Sequence, residues 1–420
     1  MQAVVIAAGH SSRFWPLNYE HKSQFRLLGH PLVYWTIQGL VEAGITDIVV
    51  VVSKDSTLPE TLGRWGDHGA VISYVTQDKQ LGTGNALAQA RASLAGPFVL
   101  IWPNKVNSFD MVKRMLELRL DGKAEIVIVG AHTDNPPDYG IIEFSGDQPV
   151  SIVENPKLGE EPSRVMAVGA FLFDQDFFAY YDRIQHHHEA DLIEAVNMYM
   201  KEKQVALLKI ESDVPTLKYP WQVLDILDIM LASSRFKAQI APTAQIGRNV
   251  ILRGEVEIGE NAKIGDNTVI EGPAYIGEGC EIGDANVLRG PLDLEAGVKT
   301  RSFFELKHSV VQEDTHFHSG YLGDSVVGSH CRFGAGFVTG NRRLDRKTVK
   351  TKVKGSMMDT ELGAFGLATG RNVKFGIQTG TMPGVFVGSD SIILPGAQLF
   401  SNVEDGTRVF VKQSEKREQV

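Results

Sequence analysis

Val256-Glu257-Ile258-Gly259-Glu260-Asn261-Ala262-Lys263-Ile264-Gly265-Asp266-Asn267-Thr268-Val269-Ile270 places an isoleucine at every sixth position and a glycine directly after two of them. The same beat runs through Ile240, Ile246, Leu252, Ile258, Ile264, Ile270, Ile276, Ile282, Leu288 and Leu294. It resumes at Val327, Phe333 and Thr339, and again from Phe375 through Thr381, Val387, Ile393 and Leu399. Four positions after the apolar residue stands a small or β-branched side chain, as at Ala244, Val250, Ala262, Thr268, Ala274 and Cys280. A helix (period ~3.6) and an amphipathic strand (period ~2) both lose such spacing within a few turns. A coil with three short faces keeps it. The spacing therefore predicts a left-handed parallel β-helix over 233–420.

Composition is compatible with that coil plus a second domain. The chain has 420 residues, 43% hydrophobic and 22% charged, in the ordinary globular range. Net charge is −9, which argues against a general nucleic-acid binder. The two cysteines, Cys280 and Cys331, both occupy small inward positions of the coil and read as packing residues in a reducing compartment. No apolar run is long enough for a membrane span and no secretory leader is visible, so the expected location is cytoplasmic.

Residues 1–232 read as alternating strands and helices. Buried strands are expected at Ala3–Ala7, Asp47–Val52, Ile72–Thr76, Phe98–Trp102, Glu125–Val129 and Ala167–Phe173. Helices are expected at Pro31–Ala43 and Ala86–Leu94, with a linking helix at Trp221–Phe236. The implied architecture is an α/β doubly wound, mostly parallel sheet, whose ligands bind beyond the carboxyl ends of the strands.

The loop Ala7-Ala8-Gly9-His10-Ser11-Ser12-Arg13-Phe14-Trp15-Pro16-Leu17, with Lys22 downstream, follows the first strand. A glycine such as Gly9 lets backbone approach a phosphate chain, and nearby cations neutralise it. Together with Gln77 and Leu81-Gly82-Thr83-Gly84-Asn85-Ala86, this loop resembles the sugar-1-phosphate nucleotidyltransferases. The resemblance implies that Arg13 and Lys22 serve the pyrophosphate and sugar phosphate. It implies that Gln77, Gly82 and Thr83 receive a pyrimidine base, and that Gly140 and Glu154 hold the sugar. Glu189 stands near a further acidic position of that family. Several positions depart from it. Ser11 replaces a glycine, His21 a proline, Asn104 the aspartate that holds Mg²⁺, Thr216 a second metal ligand, and Ala167 the asparagine at the sugar ring. Mg²⁺ prefers anionic oxygen, so these replacements together argue against efficient nucleotidyl transfer from UTP or dTTP. Asp110 and Asp213 are the alternative carboxylates for a rebuilt metal site.

The coil contains Leu288-Arg289-Gly290-Pro291, Phe304-Glu305-Leu306-Lys307-His308-Ser309, His318-Ser319-Gly320-Tyr321-Leu322-Gly323-Asp324 and Asn341. These resemble the acetyltransferase half of bifunctional N-acetylglucosamine-1-phosphate uridyltransferase / glucosamine-1-phosphate acetyltransferases, especially archaeal forms. The resemblance implies acetyl-CoA as donor, His318 as general base, Arg289, Lys307 and Tyr321 around a sugar phosphate, Asn341 orienting the acceptor, and a homotrimer. A histidine titrating near neutrality suits deprotonation of an attacking amine. Arg332 stands where the family has asparagine and is expected to border the sugar site. His308 and His316 read as structural histidines, and His186-His187-His188 as a solvated loop. Lys347–Lys354 reads either as a contact for coenzyme A phosphates or as a charged edge strand. An excursion is expected over Met357–Arg371 and a frayed tail over Glu404–Val420.

The leading expectation is therefore acetyl transfer to an amino-sugar phosphate by the coil. Two other readings remain open. One is an active nucleotidyltransferase whose coil serves only to trimerise it. The other is a nucleotide-sugar-binding sensor or assembly protein without catalysis.

Overall fold

The computed structural model describes residues 1–9, 11–64, 69–79, 81–120, 124–211, 216–412 and 414–419. His10 and Asp213 lie outside the described residues. The chain divides into two compact units. The first comprises Met1–His10 with Pro31–Val214, and the second Ser11–His30 with Pro215–Val420. This division differs from a single boundary at 232/233, because segment 11–30 and the helix Gln222–Ala232 both belong to the coil unit.

In the first unit the sheet order is Val205–Ile210, Ile126–His132, Val165–Phe173, Phe98–Ile101, Gln2–Ala7, Asp47–Ser53, Val71–Gln77. The central pairings of Gln2–Ala7, Asp47–Ser53 and Val71–Gln77 are parallel. Val165–Phe173 runs antiparallel to both of its main-path neighbours. Strand periodicity sends alternate residues to opposite faces. Ala3 and Val5 pack with Val33, Ile37, Met111 and Met115 on one face. Val4, Val49 and Val51 pack with Leu87, Leu192 and Tyr199 on the other. Helices thus cover both faces, as a buried parallel sheet requires.

In the second unit short strands repeat in parallel register, Gln245↔Lys263↔Glu281 and Ile246↔Ile264↔Ile282, one coil advancing 18 residues. The apolar sixth positions form one continuous interior, including Ile258, Ile264, Ile276, Ile282, Leu288 and Leu294. Farther along, the interior becomes an aromatic column: Phe317–Phe333 centroids are 4.6 Å apart and Phe333–Phe375 4.7 Å. Cys280 and Cys331 are free and buried in that interior. Corners use left-handed backbone at Asn249, Asn261 and Asn267, where asparagine tolerates positive φ better than most residues. This is a left-handed parallel β-helix.

The excursion is wider than Met357–Arg371. The chain leaves the coil after Phe337–Thr339, folds the antiparallel pair Lys350–Val353 and Ser356–Asp359, and re-enters at Leu367–Thr369 beside Val326 and Val327. Lys347–Lys354 contributes one arm of that hairpin rather than an edge strand of the coil. The final rung reaches Arg408–Val409, so the start of the expected tail is still part of the coil.

Segment 11–30 lies along the coil. The Trp15 indole N–H donates to Asp405 (3.2 Å), and Arg26 exchanges backbone hydrogen bonds with the Gln312 amide (3.4 and 2.9 Å). The Leu28 N–H donates to Asp293 (2.8 Å) and the Gly29 N–H to Glu295 (2.9 Å). As this segment advances, its partners step back through earlier coils. Asp293 and Glu295 are fully buried. Burial raises Glu295 to about 7 against the pull of Arg26, and burial with the neighbouring Glu295 charge raises Asp293 well above the carboxylate range.

Candidate functional sites

In the first unit, the loop after Val71–Gln77 is held by its own side chains. Gln77 is buried, and its amide donates to the Gly82 carbonyl (3.0 Å) and the Asn85 side chain (2.9 Å). Gly82 has φ +101 and packs so closely on Glu189 that a Cβ would sit 2.9 Å from its Cα. Thr83 opens the helix Thr83–Ala90, and a Cβ on Gly84 would strike the Asp191 carboxylate. Gln77, Gly82 and Thr83 are thus brought together into a backbone cradle. Gly140 and Glu154 face each other across a hairpin, where a Cβ on Gly140 would lie 2.9 Å from Glu154 Oε1. Gly9 is different: a Cβ there meets nothing within 4 Å. Asn104 is fully buried just beyond Phe98–Ile101, and Asp110 is exposed on the helix Ser108–Leu120.

The histidine run is exposed, as expected of a solvated loop, and one of its rings still makes ordered contacts. The His187 ring stacks on Tyr181 at 4.6 Å and reaches the buried Asp191 (3.1 Å), which also accepts the Tyr181 hydroxyl (2.8 Å). Asp191 was not singled out from sequence, because nothing in its local pattern distinguishes it from other first-turn helix carboxylates.

In the second unit, Arg13 is exposed in the turn Ser12–Phe14. The Lys22 ammonium donates to the carbonyls of Thr216 (3.5 Å) and Leu217 (3.2 Å). Thr216 therefore meets Lys22 through its backbone.

Coil register creates the clearest site. Arg289 pairs with Lys307, and Lys307 with Gly323, on successive rungs. Neighbouring strands lie ~4.8 Å apart, so the guanidinium and ammonium stems rise side by side from one face. At the third rung Gly323 has no side chain, and Tyr321 and Asn341 fill the space. A Cβ there would meet the Tyr321 hydroxyl at 2.2 Å and the Asn341 amide at 3.0 Å. Asn341 donates to the Tyr321 oxygen (3.0 Å) and to Asp324. Lys307 donates to both Asp324 oxygens (3.1 and 2.9 Å), and Arg289 pairs with Glu305.

His308 joins the same cluster. One ring nitrogen meets Asp324 and the other Asp228 of the helix Gln222–Ala232, each at 3.0 Å. Burial opposes its charge, but the two carboxylates outweigh burial and raise it to about 9. The hydrogen bonds from His308, Lys307 and Asn341 likewise overcome burial and hold Asp324 below its ordinary range. Sequence reading took His308 as structural and gave Asp324 and Asp228 no role. The signal was its place directly after Lys307, but a partner on another element has no local signature.

His318 sits at a coil corner, its backbone N–H donating to Phe333 and its exposed ring without a hydrogen-bond partner among the described residues. Arg332 is exposed on a different ladder, His316↔Arg332↔Lys374, where its guanidinium caps the carbonyls of Asp314 and Cys331. No helix among the described residues is long and apolar enough to cross a membrane.

Comparison with known proteins fits this two-part layout. The Nucleotidyl transferase family model matches residues 2–223, and the Bacterial transferase hexapeptide model (six repeats) matches 255–290. A "Bifunctional sugar-1-phosphate nucleotidylyltransferase/acetyltransferase" of Sulfurisphaera tokodaii is 31% identical over 97% of this chain and 99% of its own length. A "Bifunctional protein GlmU" of Methanococcus maripaludis is 30% identical over 98% of both chains. The one of Methanocaldococcus jannaschii is 28% identical over 98% of this chain and 97% of its own. The chain belongs to the nucleotidyl transferase family, in the group that carries hexapeptide repeats, and is a transferase.

Proposed function

We propose that the chain works in nucleotide-sugar biosynthesis and that its coil transfers an acetyl group from acetyl-CoA to the amine of an amino-sugar phosphate. The observation that carries this reading is the Arg289–Lys307 ladder beside Tyr321 and Asn341. Paired cations on adjacent rungs match the oxygens of one phosphate, and the Asn341 amide and Tyr321 hydroxyl supply directional contacts to a sugar. The amine attacks the thioester carbonyl, the new C–N bond forms, and the C–S bond breaks with coenzyme A leaving as the thiol. His318, exposed at its corner, takes the amine proton. A closed homotrimer is the assembly that hexapeptide coils favour.

In the first unit, the cradle of Gln77, Gly82 and Thr83 suits a pyrimidine base, with Gly140 and Glu154 toward the sugar. The residues present do not fit a tightly held Mg²⁺. Asn104 offers a neutral amide there, whereas Mg²⁺ prefers anionic oxygen. The neutral Asn104 favours nucleotide binding over rapid nucleotidyl transfer.

Free-thiol release from acetyl-CoA with glucosamine-1-phosphate tests the coil. His318→Ala is expected to lower the rate about 10²- to 10⁴-fold. Thiol release unchanged in that variant, or absent from the parent chain with every amino-sugar phosphate tried, overturns the reading. Pyrophosphate release from UTP or dTTP tests the first unit, with Asn104→Asp expected to raise it.

A further inference from the structure

The ion network around Asp324 is closed from outside the coil by a residue that touches none of the proposed substrate-binding groups. Asp228, on the helix Gln222–Ala232, meets His308 at 3.0 Å; His308 meets Asp324 at 3.0 Å; and Asp324 is shared with Lys307 and Asn341. Asp324 is 3% exposed at its side chain and His308 24%, so water competes little for these bonds. His308 also has positive φ, which turns its ring out of the Arg289–Lys307 ladder and toward the helix.

Charge distribution gives the arrangement a consequence. The Asp324 carboxylate faces two cations, Lys307 and His308 in its protonated form, and therefore neutralises neither completely. Without a charged His308, Lys307 is the one remaining cation hydrogen-bonded to Asp324 among the described residues and pairs with it fully. A fully paired ammonium is a poor phosphate ligand, because moving it toward a new anion leaves a buried carboxylate uncompensated.

We propose that Asp228 and His308 are positioning residues of the acyl-transfer site, keeping Lys307 available to the phosphate of the acceptor by sharing Asp324 with it. This rests on the acetyl-transfer reading above. The groups facing His308 are Asp228 and Asp225 from the helix, Asp324 from the next rung and Lys307 beside it, with Glu361 facing Asp225. All the carboxylates favour the cation, in keeping with a histidine raised to about 9. Removing Asp228 takes away one of its two hydrogen-bonded carboxylates and lets it lose its proton at lower pH.

The experiment compares the full chain with Asp228→Asn and Asp228→Glu, following thiol release from acetyl-CoA with glucosamine-1-phosphate across pH, together with ring-carbon NMR of His308. In the parent chain the KM for the sugar phosphate stays flat until His308 deprotonates near pH 9. In Asp228→Asn the rise in KM moves at least one pH unit lower, about a tenfold loss of affinity per unit in the intervening range, with kcat at saturation little changed. Asp228→Glu restores the parent profile. A residue needed only for helix docking would alter the melting temperature and leave the pH of the KM rise in place, and that result overturns the proposal. An equal fall in kcat at all pH values overturns it too. No thiol release from the parent chain, with the NMR titration of His308 still shifted by Asp228→Asn, defeats the acetyl-transfer reading instead.

Discussion

Glu295→Gln should flatten the pH dependence of coil stability. Glu295 is fully buried, bonded to the Gly29 N–H (2.9 Å) and paired with Arg26 (3.3 Å). Folded, it keeps its proton to about 7; its ordinary value is 4.5. Between those values the unfolded chain binds fewer protons than the folded one, so stability falls as pH rises. At ~1.4 kcal/mol per pH unit, that window is worth roughly 3 kcal/mol. Glutamine keeps an acceptor for Gly29 and cannot ionise, so this loss disappears in the variant. Asp293 titrates in the same direction and remains, so the slope becomes shallower, and it becomes flatter still with Asp293→Asn added. Urea unfolding at fixed protein concentration, followed from about pH 4.5 to pH 8, reads the effect. With an m-value of about 2–3 kcal/mol/M, the parent midpoint should drop by about 1 M or more relative to the variant across the window. Equal slopes in both proteins would refute the idea that this carboxyl enters the fold uncharged.

Phe333→Ala removes the centre of the aromatic column, at 3% exposure, and should cost about 3–5 kcal/mol in denaturant unfolding; Val338→Ala, at 50% exposure, should cost under about 0.5 kcal/mol. Gly82→Ala would push a methyl to 2.9 Å from Glu189 and force φ +101 on an L-residue. The expected strain is about 1–3 kcal/mol, read as a lower melting temperature of the first unit and loss of the thermal shift given by UTP.

Local pattern carried the reading where structure is itself local and repetitive. The sixth-position residues are the coil interior because each rung repeats the same geometry, and the alternation in Ala3, Val4 and Val5 follows from a strand's two faces. The resemblance named Arg289, Lys307, Tyr321 and Asn341 together; the rung register sets Arg289 beside Lys307, whereas Asn341 comes from beyond the point where the chain leaves the coil.

What only the tertiary structure decided are partnerships across long stretches of chain. Arg26 and Gln312 lie 286 residues apart, and Asp228 and His308 lie 80 apart. The segment holding Arg13 and Lys22 follows the first strand in sequence, yet its hydrogen bonds place it in the coil unit. Buried carboxylates such as Asp293 and Glu295 look in sequence like outward residues flanking Leu294. Their burial comes from backbone N–H donors that arrive from a distant segment, and no short window of residues encodes that arrival.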